Sequence, residues 1–335
     1  MFTKRIFRKD PSALRPLFER WLFLGLCAVL SLAPLPAMAF DPFPVEGGPG
    51  EHRRILDAAL GCPPGGGADC WTVAARDRLE PALRRPDITA ITVWNPAHCD
   101  GGDLPDGRGA AALSACRDWI RAELDAAVRA ADRLVDPGGA PRQVRGRCGT
   151  LQLGDPDVLC AFDHHFGRAL HAAQDFYSHT NWTDRPLPPS EVSLRSPQGL
   201  GGTGPIPWLA PDDAGSPPAG LMSGCFLFFP EGLFCQGRTR HADLNKDRRH
   251  GSDTPPVGGT PRGEVGGNFA RAFDAAAGET ARIWTDLEAR LVATYGGARG
   301  RAMACVIRGV EPGACAPVAV VGGQKASVGF RAGIA

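Results

Sequence analysis

Residues 162–182 read FDHHFGRALHAAQDFYSHTNW and constrain the chain more than any other stretch. They hold four of its eight histidines and are rich in Ala, Leu, Arg and Gln with no proline, the texture of a helix. His171 and Asp175 are four apart, so on a helix they stand one above the other. His179 lies four further on and His164 seven before His171, so both fall close to the same stripe. Phe166, Leu170, Ala173 and Phe176 take up other sides of the helix. Such a helix packs into a core, and a polar stripe buried there is costly unless something satisfies it. A divalent metal would do so.

Spacing refines this. Four residues advance a helix by about 6 Å, so His171 and Asp175 reach one ion, whereas His171 and His179 stand roughly 12 Å apart along the axis. Two histidines so far apart do not share one zinc through bonds of about 2.0–2.1 Å. The economical reading is two metals, one near each histidine, with Asp175 between them. Metal pairs about 3.5–4 Å apart are a common device for phosphoester hydrolysis. The competing reading is a core helix with incidental histidines.

The chain opens with a basic segment (Lys4, Arg5, Arg8, Lys9), an apolar run from Trp21 to Leu30, and the small-residue site Ala37-Met38-Ala39. Residues 1–39 therefore read as a signal peptide, too short and too soon broken by Pro34 and Pro36 to span a membrane. Of eleven cysteines, all but Cys27 fall in five sequence-local pairs: Cys62/Cys70, Cys99/Cys116, Cys148/Cys160, Cys225/Cys235 and Cys305/Cys315. An even count in an exported chain predicts disulfides, and short loops are the cheapest to close. No CxxC occurs, so any metal is held by nitrogen and oxygen. The expected location is periplasmic or extracellular, in a bacterium whose GC-rich coding bias shows in the excess of Arg, Ala, Gly and Pro. A net charge of +1 draws no nucleic acid, and no stable nucleic-acid partner is expected.

The remaining roughly 300 residues suffice for one large domain, expected over 40–315 with a flexible tail at 316–335. Its fold class reads as all-α. Helices are expected at Glu51–Leu60, with His52 in the first turn, and at Trp71–Arg85, ending at the Pro86-Asp87 turn. Longer ones follow at Ala110–Val135 and Asn268–Tyr295. In the last of these Glu279 reads as a surface residue by default, although it and Thr280 could approach the site. Residues 185–239 form a Pro/Gly-rich loop insertion. Within it, Leu221–Cys235 is either a disulfide-closed hairpin packed on the core or an exposed apolar loop that touches lipid. Trp94–Asp103 is polar and turn-like; Asp100, Asp103 and Asp106 could alternatively make a calcium-like loop, without the full EF-hand pattern.

The stretch HAAQDFYSHTNW resembles the signature of the heterokaryon-incompatibility Het-C-like proteins, a family with secreted bacterial members. That family is similar in turn to zinc-dependent phospholipases C and single-strand-specific zinc nucleases. The resemblance implies a multi-helix domain with two or more Zn2+ ions acting on a phosphodiester, a phospholipid or membrane surface first and single-stranded nucleic acid second. It implies metal ligation by His52, His98, Asp100, His171, Asp175, His179 and His241, with Asp100 a candidate general base and Asp175 catalytic. Arg240–Asp247 is similar to the family's His-x-x-Leu-Asn-Lys-Asp element, with Asp243 and Asp247 as supporting carboxylates. Lys246, one of two lysines after the signal segment, would pair with phosphate or a carboxylate. Two departures stand out: Cys99 replaces an aromatic residue, and Asn245 stands where zinc phospholipases C carry a Glu, which puts a third metal in doubt. The alternative from another class is a secreted metal-binding interaction or incompatibility factor without turnover.

Overall fold

Among the residues that the computed structural model describes (49–64, 69–88, 95–142, 148, 158–227, 231–246 and 260–315), the backbone is helix and loop, with isolated bridges and no strand. The expected signal peptide over 1–39, the expected tail over 316–335 and Asp247 lie outside the described residues. In chain order the helices are α1 (Glu51–Leu60), α2 (Val73–Ile88), the single turn α3 (Asn95–His98), α4 (Arg108–Ala131) and α5 (Val158–His179). Three further single turns follow, α6 (Glu231–Phe234), α7 (His241–Leu244) and α8 (Pro261–Glu264), then α9 (Asn268–Tyr295), α10 (Gly297–Ile307) and α11 (Pro312–Cys315).

The central helix is α5, against which α4, α2 and α9 pack along their lengths, with α3 and α1 closing the remaining sides. Phe162, Phe166, Leu170, Phe176 and Tyr177 on α5 are wholly buried. Trp71 stacks on Phe166 at 5.8 Å and meets Trp284 of α9 edge-on at 4.9 Å. Each such side chain contributes about 1.5–3 kcal/mol by leaving water. Gly167 sets the closest approach. A Cβ there would stand 2.7 Å from Ala82 Cβ and 2.8 Å from the Ala82 and Leu83 backbone, so only glycine lets α5 cross α2 at this separation.

Helix ends differ from expectation in one consequential place. The second helix does not stop at Arg85 but continues through Pro86 to Ile88. A proline forfeits one backbone donor, which ends most helices; here it sits in the final turn, and buried Asp87 is carried inward with it. Within the 185–239 segment, Ile206, Trp208, Leu209 and Leu221 join the core. Tyr177 Oη accepts the Ile206 amide at 2.9 Å, and Asn181 Nδ2 donates to the carbonyls of Gln198 and Gly220, lashing the loop to the end of α5. Glu279 is likewise not a surface residue. It is buried, accepting from Tyr177 Oη at 3.0 Å and from Arg282, and burial pushes its carboxyl pKa up.

All five expected cysteine pairs are within disulfide distance: Cys62–Cys70, Cys99–Cys116, Cys148–Cys160, Cys225–Cys235 and Cys305–Cys315. Five local cross-links suit an oxidising, exported environment. Among the described residues no helix is long and apolar enough to cross a membrane.

Candidate metal centre

Two buried His/Asp clusters lie side by side where α5 meets α2, α3 and α7. The first joins Asp87, His98, His171 and Asp175, whose donor atoms lie within 4.8 Å of one another. His52 borders it, its Nε2 3.4 Å from Asp175 Oδ1 and 3.7 Å from Asp87 Oδ2. The second joins Asp100, His179 and His241 within the same limit. Among the described residues these are the groups that could hold a metal ion.

The turn after α3 is what feeds both. His98 and Asp100 are separated by one residue, yet each belongs to a different cluster. Between them Cys99 has φ +59°, the left-handed region that a side chain makes unfavourable, and its disulfide to Cys116 anchors it on α4. The backbone reversal there sends the His98 imidazole to the first cluster and the Asp100 carboxylate to the second.

Histidine tautomers are set by backbone carbonyls and one side-chain amide. His171 Nδ1–H donates to the Leu83 carbonyl at 2.9 Å, and His179 Nδ1–H to the His98 carbonyl at 2.6 Å. His52 Nδ1–H donates to Gln174 Oε1 at 2.8 Å, while Gln174 Nε2 donates to Thr280 Oγ1 at 3.0 Å, which orients the amide. A carbonyl oxygen can only accept, so each of these imidazoles carries its proton on Nδ1 and turns the Nε2 lone pair the other way. For His171 that lone pair faces Asp175 Oδ2 at 3.0 Å and His98 Nδ1 at 3.2 Å. Burial, reinforced by His171, lowers the His52 pKa to about 3, and burial lowers that of His171. Burial raises the Asp100 carboxyl, but His241 and His179 outweigh it and hold its pKa at about 2.

Neutral imidazole lone pairs aimed at ionised carboxylates repel unless a cation stands between them. Asp175 Oδ1, His98 Nε2 and His179 Nε2 are buried without a hydrogen-bond partner among the described residues, a rare condition for interior polar atoms. The donor set therefore fits divalent cations held by nitrogen and oxygen, and the His52 and His171 imidazoles, kept neutral by burial, are in the ligating state.

The structure thus brings together every sequence-predicted ligand, in two groups. Asp175 is seated with His52, Asp87, His98 and His171, and the shared grouping does not place it with Asp100, His179 and His241. His52, in the first turn of α1, is fully buried. His164 stays off the stripe, its Nε2 3.3 Å from Arg168 Nη1 at the half-buried start of α5. No calcium-like loop forms: Asp103 takes a bidentate pair with Arg238 at 2.5 and 2.7 Å, and Asp106 points to solvent. Asp243 caps α7 and pairs with Arg240 and Arg195. Of the two partners expected for Lys246, the structure supplies the carboxylate: its buried Nζ pairs with Asp184 at 3.1 Å and donates to the Thr180 and Leu244 carbonyls at 2.7 and 3.0 Å. Asn245 Oδ1 accepts from Ser178 Oγ at 2.9 Å, so it completes no third cluster. Asp87 is the ligand candidate that sequence reasoning missed, hidden behind the Pro86 stop. Its one signal was electrostatic: a carboxylate in the last turn of a helix opposes the helix dipole and calls for a nearby cation.

No protein-family model, no curated protein and no solved structure matches the chain.

Proposed function

We propose that the chain is an exported, zinc-dependent phosphodiester hydrolase of phospholipase C type, related to the Het-C-like proteins whose signature its α5 resembles. One observation carries the reading: two buried His/Asp clusters, fed by ligands two residues apart in sequence, with the outer imidazole nitrogens already committed to protein acceptors. His52, Asp87, His98, His171 and Asp175 would hold one ion, and Asp100, His179 and His241 another. Paired divalent ions supply acidified water and charge neutralisation for phosphoryl oxygens. The protein's own part is to fix the ligand tautomers, to keep the carboxylates ionised and to exclude bulk water from the donors. Asp100 lies 3.1 Å from His241 Nδ1 and 3.4 Å from His179 Nδ1, within reach of the second cluster either as a ligand or as the carboxylate that orients its imidazoles.

A second reading is supported by the burial of all eight candidate ligands and by the engagement of Asn245 with Ser178. It is a secreted metal protein that binds a partner without turnover. Elemental analysis of purified protein, followed by a hydrolysis screen on phospholipids and single-stranded nucleic acid, separates them. The enzyme reading expects about two zinc ions per chain and head-group release. Metal-loaded protein that cleaves neither substrate leaves the binding reading standing, and protein without stoichiometric metal ends both.

A further inference from the structure

Eight large apolar side chains among the described residues stand more than a third exposed, and five of them sit on two segments fastened to α7: Val192 and Leu194 on one, and Leu227 with Leu233 and Phe234 of α6 on the other. Scattered single apolar residues are normal on a surface, whereas a gathering of them marks an interaction site. On one side, paired backbone hydrogen bonds between Ser193 and Ser196, 3.0 and 3.1 Å, make a turn with Leu194 and Arg195 at its tip. Thr239 Oγ1 donates to the Leu194 carbonyl at 3.0 Å, and Arg195 Nη1 to the Arg238 carbonyl at 3.1 Å. On the other side, the Cys225–Cys235 disulfide joins the segments carrying Leu227 and Phe234. The Cys225 amide donates to the Thr239 carbonyl at 2.8 Å and the His241 amide to the Cys225 carbonyl at 2.9 Å, while the Phe226 ring lies 5.5 Å from that of His241. Both apolar edges are thus built onto the frame that carries a metal-ligand candidate.

Charge on this face is layered. Arg195, Arg240 and Arg238 keep 44, 33 and 24% of their side chains exposed, whereas their partners Asp243 and Asp103 keep 6 and 1%. Glu231, which accepts the Ala242 amide, is also buried. The two segments therefore expose Leu, Val and Phe side chains and guanidinium donors to solvent, and keep the carboxylates buried. Apolar tips that seek an acyl layer, set among planar donors that fit phosphate oxygens, complement a phospholipid surface.

We propose that this face docks the protein on phospholipid bilayers and holds the His241 edge of the candidate centre at the head-group layer. The purpose assigned to the docking rests on the phosphodiesterase reading; the docking itself does not. Sucrose-loaded vesicles of phosphatidylcholine, with and without phosphatidylglycerol, test it by co-sedimentation. Wild-type protein should sediment with both, more strongly with the anionic set. Combined Leu194→Ser, Leu227→Ser, Leu233→Ser and Phe234→Ser should lower the vesicle partition about tenfold or more, while hydrolysis of a soluble short-chain phosphodiester stays at the wild-type rate. Independently of that variant's folding, the tryptophan emission of Leu227→Trp should shift to the blue when vesicles are added. Wild-type protein that stays in the supernatant, or a fourfold variant that sediments equally, overturns the proposal. So does concentration-dependent dimerisation of the wild type that the variant abolishes without any vesicle binding, which would assign the face to a second copy. Vesicle binding without cleavage of any phosphodiester leaves the docking intact and removes the enzyme reading.

Discussion

Asp175→Asn exposes the logic of the centre, because the same change should act in opposite directions with and without metal. Asp175 Oδ2 lies 2.9 Å from His98 Nδ1 and 3.0 Å from His171 Nε2, and Oδ1 lies 3.4 Å from His52 Nε2. The Nε2 atoms of His52 and His171 present lone pairs, so in the metal-free protein the carboxylate faces two acceptors and has His98 Nδ1 as its one possible imidazole donor. An amide of the same shape removes the charge and offers two N–H donors, and the metal-free form should hold or gain stability. Metal binding should suffer. Losing an outer partner of a ligand already costs 10–100-fold in affinity, so about 100-fold is a modest expectation for a ligand itself. With metal at 1,000 times its Kd, binding stabilises the native state by about 4.1 kcal/mol; a 100-fold weaker site under the same conditions leaves about 1.4 kcal/mol. At roughly 2–4 °C per kcal/mol for a large domain, the metal-dependent rise in Tm should shrink by about 5–10 °C. Thermal unfolding followed by circular dichroism, with zinc and after chelation, reads both terms, and elemental analysis reads occupancy. If the variant keeps full metal and the same zinc-dependent rise in Tm, Asp175 is not a ligand and the argument from facing lone pairs fails.

Other perturbations test the supports. Gly167→Ala should destabilise despite alanine's helix preference of about 1 kcal/mol, since overpacking against the α2 backbone costs about 1–3 kcal/mol; it should also weaken metal binding by moving the Leu83 carbonyl from His171, as titration calorimetry would show. Replacing both Cys99 and Cys116 with alanine should cost about 3 kcal/mol in denaturant unfolding, as expected for a loop of this length. It should also lower metal content at both clusters, because the left-handed Cys99 turn aims His98 and Asp100; full metal in that variant would show the turn to be self-sufficient. Lys246→Met should cost about 3–5 kcal/mol by leaving a buried pair broken, and should empty the His179–His241 cluster before the other, because Nζ ties Thr180 to Leu244. Cobalt substitution with visible spectroscopy would resolve the two.

The helices and the disulfides were legible in sequence because their causes are local. Apolar spacing defines α4, α5 and α9 whatever packs on them, and short cysteine loops close with their neighbours because the entropy cost is least. The histidine stripe of α5 was legible for the same reason: four-residue spacing aligns His171, Asp175 and His179 before any other chain segment arrives. What arrives to meet that stripe is a tertiary matter. Pro86 gave a correct local argument for stopping α2 and so concealed Asp87, which the packing of α2 across Gly167 carries to His171. Spacing alone put Asp175 between two ions; only the folded turn at Cys99 showed His98 going to one cluster and Asp100 to the other. Lys246 could pair with any carboxylate or phosphate in sequence, and the burial of Asp184 beside it decided which. Residue type and period determined the chemistry on offer; its division into two sites was set by which distant backbones the core brought into contact.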